Sequence, residues 1–185
     1  MIRSTLTTLL CMAVMASAAT VPRPSPPFVV HLTPGQLTPA QYKGKVVIMA
    51  MIMTTCPHCQ KTTQVLSGLQ KEYGPRGLQV MAAAFEDQIS PMAVNNFIKQ
   101  YQPTFPVGYS SRTEVLTYLG LKPDDQVFVP ILVFIDRKGM IRHQYLGDDP
   151  FQLNQEPNLR QAIEQLLKEP ASAQKAAPAT TKKAS

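Results

Sequence analysis

The chain has 185 residues, with 18 lysines and arginines against 12 aspartates and glutamates, a formal charge of +6, and three cysteines. That length suits one domain with an ordinary core rather than two. Five of the cations (Arg3, Arg23, Lys175, Lys182, Lys183) lie outside residues 28–169, which hold 13 cations against all 12 acids, so the basicity belongs to the ends; no basic face supports nucleic-acid binding.

Residues 1–18 read as a secretory signal: Arg3 supplies the positive start, Leu6 to Met15 a short apolar core, and Ala16-Ser17-Ala18 small residues for cleavage near Ala19. The apolar run is too short, and too interrupted by Thr7, Thr8 and Cys11, to span a bilayer, so no stable membrane span is expected after signal removal. Cys11 leaves with the signal. What stays is one close pair, Cys56 and Cys59, in a chain expected to be exported to the periplasm or another extracytoplasmic space.

Residues 19–27 (ATVPRPSPP) are expected to form an extended, poorly folded linker. The domain is placed at 28–169. Phe28 to Leu32 reads as a short strand, Pro34-Gly35 as a turn, and Leu37 to Tyr42 as a connection into a central apolar strand, Lys45 to Met53. A helix follows from the cysteines through Gln60 to Tyr73, with Val65, Leu66, Leu69 and Tyr73 at helical spacing. Leu78 to Phe85 is a second apolar strand, and Pro91 to Gln100 a helix capped by Ser90 with proline in its first turn. Phe105 to Tyr109 reads as a short strand and Arg112 to Leu119 as a helix stopped by Gly120. Ile131 to Ile135 and Met140 to Leu146 form a hairpin around Asp136-Arg137-Lys138-Gly139, and a last helix runs from about Asn158 to Lys168. Residues 170–185 are a low-complexity tail, expected to be disordered. Strands alternating with helices imply an α/β sheet covered on both faces, with active residues where a strand ends and a helix begins.

Cys56-Pro57-His58-Cys59 stands at such a junction. Two cysteines separated by two residues at a helix start form a reversible dithiol, and the unpaired N–H groups and positive dipole end of that helix favour the thiolate of the first sulfur. Cys56 is therefore the expected nucleophile. A zinc site needs a second pair of ligands that the chain lacks, and a static disulfide closing so short a loop constrains the unfolded chain little. A different class of function is a copper-binding chaperone using Cys56, Cys59 and His58, with a methionine from Met49, Met51 or Met53, which alternate along one strand and so share a face. Filling of the core is the plainer role for those methionines. A thiol peroxidase lacks support, because no proline and threonine precede Cys56 at the spacing such enzymes use.

The order of strand, CxxC, helix, strand, helix, hairpin and helix, with Val129-Pro130 entering the hairpin, resembles the thioredoxin fold. The opening hairpin, the KGKVVI lead into the central strand and the inserted helix near Pro91 to Tyr101 are similar to the TlpA/ResA-type exported thiol-disulfide oxidoreductases. The resemblance covers about residues 28 to 168 and departs at two positions: Thr55 stands where these proteins usually carry tryptophan, and His58 where they carry proline. CPHC followed by Val-Pro resembles instead the site of DsbA-type oxidases, whose large helical insertion has no room here.

The resemblance implies a central mixed sheet flanked by helices and disulfide exchange with exported cysteine-containing proteins and a thiol-disulfide redox partner, with no bound cofactor and no metal. It implies that Cys59 resolves the mixed disulfide. It makes Pro130 a cis proline facing the CxxC, with Val129 free to pair with an extended substrate, against the trans proline that a strand start alone would suggest. It also assigns Glu86 or Asp87 as the acid that takes a proton from Cys59, the alternative being plain solvation of a loop. The buried acid that thioredoxins place beneath the motif has no counterpart, because Ala50 occupies that position. His58 adds a donor or positive charge beside Cys56, which favours the oxidant direction.

Overall fold

The computed structural model describes residues 20–170. The expected signal, Cys11 within it, and the expected tail beyond Pro170 lie outside the described residues. In chain order the elements are β1 (Arg23–Pro24), β2 (Val30–His31), β3 (Gln36–Leu37), a 3-10 turn (Pro39–Tyr42), β4 (Val46–Ile52), α1 (Pro57–Tyr73), a 3-10 turn (Gly74–Arg76), β5 (Leu78–Ala84) and α2 (Pro91–Tyr101). There follow β6 (Val107–Tyr109), α3 (Arg112–Leu119), β7 (Ile131–Ile135), β8 (Met140–Tyr145), a 3-10 turn (Pro150–Asn154) and α4 (Gln155–Lys168).

The strands form one sheet in the order β1-β8-β7-β4-β5-β6-β2-β3. β4, β5 and β6 run parallel, while β7 pairs antiparallel with both β4 and β8. Every residue of β4 is buried, as a strand covered on both faces must be. Its alternation sorts the core into two clusters. Val46, Ile48, Ala50 and Ile52 face α1, α2 and α4 through Leu66, Leu69, Phe97, Leu159 and Ile163, whereas Val47, Met49 and Met51 face α3 through Val115, Tyr118 and Leu119. The expected α/β sheet, helices on both faces, is the fold.

Local signals set most boundaries. Ser90 Oγ accepts the N–H of Ala93 at 3.2 Å to start α2, and Ser111 and Glu114 form a reciprocal capping box at the start of α3. Gly120 ends α3 at a φ of 71°, where a side chain would be strained. α4 starts earlier than the sequence suggests, because the turn before it is held by Asp149 Oδ1, which accepts the N–H of Phe151 at 2.8 Å; Pro157 fits within the helix's first turn, where its missing N–H is not needed.

The expected linker is corrected at Arg23 and Pro24. These residues pair with Ile141 and Met140 at the sheet edge, and Arg23 Nη2 donates to the carbonyl of Tyr118 and to Gln144 Oε1, both at 2.9 Å. Proline-rich composition offers no local order of its own; here the order comes from residues about a hundred positions away. Among the described residues no helix is long and apolar enough to cross a membrane.

Candidate active site

Parallel strands β4 and β5 deliver the two halves of the site. β4 ends at Ile52, the chain turns through Met53 to Thr55, and Cys56 takes the N-cap of α1 in extended backbone at φ −79°, ψ 119°. Pro57 follows at the first helical position, where its fixed φ suits the helix and its missing N–H is no loss. The turn is pinned by the Cys56 N–H donating to the Met53 carbonyl at 3.2 Å and by Gln60 Nε2 donating to the Thr54 carbonyl at 3.1 Å.

The two thiols differ in surroundings. Cys56 is half-buried and Cys59 is 0% exposed, within the core cluster under α1; neither is in a disulfide. Burial pushes the Cys59 thiol well above its ordinary value, a backbone hydrogen bond from Met53 opposes that shift, and the neighbouring Cys56 and Glu86 add to it. The inner sulfur is thus held as a thiol while the outer one meets solvent.

Glu86 arrives from the adjacent strand. The register pairs Ile52 with Ala84, and two residues farther along each strand stand Thr54 and Glu86. Glu86 Oε1 accepts the Thr54 backbone N–H at 2.9 Å and the Thr54 hydroxyl, while Glu86 Oε2 is buried with no hydrogen-bond partner. Asp87, one residue on, is exposed and makes no hydrogen bond or ion pair with another described residue. The structure separates the two expected acids: Glu86 turns in to Thr54, near enough for its charge to bear on Cys59, and Asp87 faces solvent.

His58 and Pro57 are exposed, and no other described residue hydrogen-bonds the His58 ring. His58 lines a groove of about 600 Å³ whose walls are α1, with Lys61, Thr62 and Val65, and the loop Phe128-Val129-Pro130; the Val129–Pro130 peptide is cis. The floor is the 3-10 turn and the start of α4. Two large apolar side chains on this groove, Phe128 at 62% and Leu153 at 90% exposure, lie open to solvent. Thr54, Phe128, Gln152 and Leu153 were not among the expected site residues. Thr54 stands as far past β4 as Glu86 does past β5, and Phe128 directly precedes the expected Val129-Pro130; Gln152 and Leu153 depend on a turn that composition does not announce.

The methionines go elsewhere. Met49 and Met51 are fully buried in the cluster under α3, on the sheet face opposite that of Cys59, and Met53 packs against the same cluster. They fill the core and do not reach the cysteines as ligands. Among the described residues no group of three or more His, Cys, Asp or Glu side chains is arranged to hold a metal ion.

A model of the Redoxin family matches residues 20–163. The thiol-disulfide oxidoreductase ResA of Bacillus thuringiensis subsp. konkukian is 28% identical over 107 residues, 58% of this chain and 58% of that protein; ResA of Bacillus subtilis is also 28% identical, over 106 residues. The matched region thus spans little more than half the length of these relatives. Among solved structures, a thiol:disulfide interchange protein of the thioredoxin family from Chlorobium tepidum superposes with a TM-score of 0.63 at 22% identity, covering 81% of this chain and 99% of that one. A thiol:disulfide interchange protein from a Bacteroides species gives a TM-score of 0.63 at 15% identity over 83% and 93% of the two chains. The fold is thioredoxin-like.

Proposed function

The chain belongs to the Redoxin family, and on that premise we propose that it is an exported thiol-disulfide oxidoreductase that exchanges disulfides with cysteine-containing proteins. The single observation that carries this reading is the pairing of a solvent-reaching Cys56 at a helix N-terminus with a fully buried Cys59 one turn behind it. The similarity to ResA supports the reaction class, and the signal-like residues 1–18 support export.

In the reducing direction the Cys56 thiolate attacks a partner disulfide. A bond forms between the Cys56 Sγ and one partner sulfur, the partner's own S–S bond breaks, and its second sulfur leaves as a thiolate. Cys59 then gives up its proton and attacks the Cys56 Sγ; the Cys56–Cys59 disulfide forms, the mixed disulfide breaks, and the remaining partner sulfur leaves and is protonated. Two electrons pass from the dithiol to the partner. Run backward from the Cys56–Cys59 disulfide, the same steps oxidise a partner dithiol. No cofactor takes part in either direction.

Glu86 is the proton acceptor for Cys59, because it is fixed at the turn before Cys56 with its buried Oε2 unpartnered and its charge helps raise the Cys59 thiol, whereas Asp87 is exposed to solvent. Pro57 starts the helix that aims at Cys56. His58 tunes the pair from outside, and Val129 and Pro130 form the wall against which the partner chain lies. Phe128 and Leu153 favour a polypeptide partner over a small thiol, since both offer apolar surface beside the groove. Turnover of a disulfide-bonded polypeptide by the wild type, with none by Cys56→Ser, is the expected result; a Cys56→Ser form with full activity overturns the reading.

A further inference from the structure

The floor of the groove carries a hydrogen-bond relay that joins the thiol helix to the proline loop. Thr62, 2% exposed and three residues beyond Cys59, donates its hydroxyl to Gln155 Oε1 at 3.0 Å. Gln155 Nε2 donates to Gln152 Oε1 at 2.6 Å, and Gln152 Nε2 donates to the carbonyls of Pro130 and Leu146, each at 3.1 Å. The direction of the relay is dictated by its end. Both terminal acceptors are backbone carbonyls, so Gln152 must turn its amino group to them and its oxygen to Gln155; Gln155 must then turn its oxygen to a donor, which Thr62 provides. Every polar atom named is satisfied in one sense only, and bonds aligned this way reinforce one another.

The loop is held from its other side by Gly147. Its N–H donates to the Phe128 carbonyl at 2.8 Å, and a Cβ at this position would stand 2.5 Å from the Phe128 carbonyl carbon and 2.6 Å from the Val129 nitrogen. Phe128-Val129-Pro130 is thus clamped between the end of β8 and the relay, while the relay's far end is fixed to α1.

We propose that Gln152 is a positioning residue that sets the width of the groove, holding the Phe128-Val129-Pro130 wall at a fixed distance from the helix that carries Cys56 and Cys59. The inference rests on the dithiol reading above and adds how the partner chain is registered against the thiols. Gln152 touches neither sulfur, so its effect falls on partners long enough to occupy the groove and spares reagents that meet Cys56 alone.

The test compares insulin, a disulfide-bonded polypeptide, with 5,5′-dithiobis(2-nitrobenzoate), a small disulfide. Gln152→Glu keeps the shape and removes the donor to Pro130 and Leu146, and it is expected to raise KM for insulin about tenfold with kcat little changed, because both partly buried hydrogen bonds to these carbonyls are lost. The rate with the small disulfide and the potential of the dithiol stay at wild-type values. Thr62→Val cuts the relay at its other end, and the double variant is expected to be no worse than the poorer single one, as members of one network behave. Should Gln152→Glu fail to fold, Thr62→Val carries the same comparison. Equal effects on both substrates, no effect on either, or additive single effects overturn the inference while leaving the dithiol reading intact. A wild type inactive on both substrates overturns the two together.

Discussion

Glu86 accepts both the backbone N–H and the hydroxyl of Thr54 through one oxygen, Oε1, and keeps the other buried and unbonded. The carboxylate is anchored without being used up. Its fixed oxygen ties the end of β5 to the turn that leads into Cys56, and its open oxygen is the one proposed above to take the Cys59 proton.

Glu86→Gln tests that division of labour. The amide still accepts from Thr54, so folding and the first attack by Cys56 are expected to be unchanged. Resolution by Cys59 is expected to slow by about 100-fold, the lower end of what a positioned acid-base group contributes. Stopped-flow mixing with an excess of disulfide substrate would show the mixed disulfide accumulating; wild-type resolution kinetics would remove Glu86 from the mechanism.

Cys59→Ser is expected to trap mixed disulfides on Cys56, seen as mass adducts equal to the partner. Iodoacetamide at mildly acidic pH is expected to label Cys56 well before Cys59, since Cys59 is buried and held as a thiol. Faster labelling of Cys59 would reverse the two roles.

The raised Cys59 thiol also makes stability depend on pH. The folded reduced protein holds this proton more tightly than the unfolded chain does. The corresponding stability is fully present below the ordinary thiol pKa, about 8.5, and is lost progressively as the pH rises above it. Urea unfolding of the reduced protein should show an alkaline decline that Cys59→Ser lacks.

His58 stands where the resemblance to reductase-type proteins leads one to expect proline. A donor or positive charge beside Cys56 favours the reduced dithiol and makes the disulfide the stronger oxidant. The wild type is expected to lie above the thioredoxin potential of about −270 mV, and His58→Pro to move it in the reducing direction by about 30 mV or more. Equilibration with glutathione buffers measures both; an unmoved potential would assign the tuning elsewhere.

Met51→Leu is expected to cost less than about 1.5 kcal/mol and Met51→Ala about 2–5 kcal/mol, as a filled core position behaves. Neither is expected to change affinity for Cu(I) in a competition titration, because Met51 lies across the sheet from Cys59. A large loss of copper affinity in Met51→Leu would bring the methionines back as ligands.

The legible parts of this protein are those whose cause is local. The C-terminal end of α3 could be set at Leu119 because Gly120 stops the helix, and β4 could be recognised because an unbroken apolar run has to be covered on both faces. The CPHC pair was legible for the same reason, a motif at a strand-to-helix junction. β1 was hidden because its order comes from Arg23 reaching Tyr118 and Gln144, and the relay under the groove because glutamines in a polar stretch carry no periodic signal. Glu86 and Asp87 were indistinguishable by type; only the register of β5 against β4 tells which of them turns inward.

The two ends of the sheet have a bearing on how this protein meets others. Each is closed by a strand of two residues, Arg23–Pro24 on one side and Gln36–Leu37 on the other, and Pro24 has no N–H to offer. Short edges with proline are poor templates for a foreign strand. Under the function proposed above, a disulfide-bonded polypeptide that enters the groove finds no long edge strand on either side of the sheet to extend.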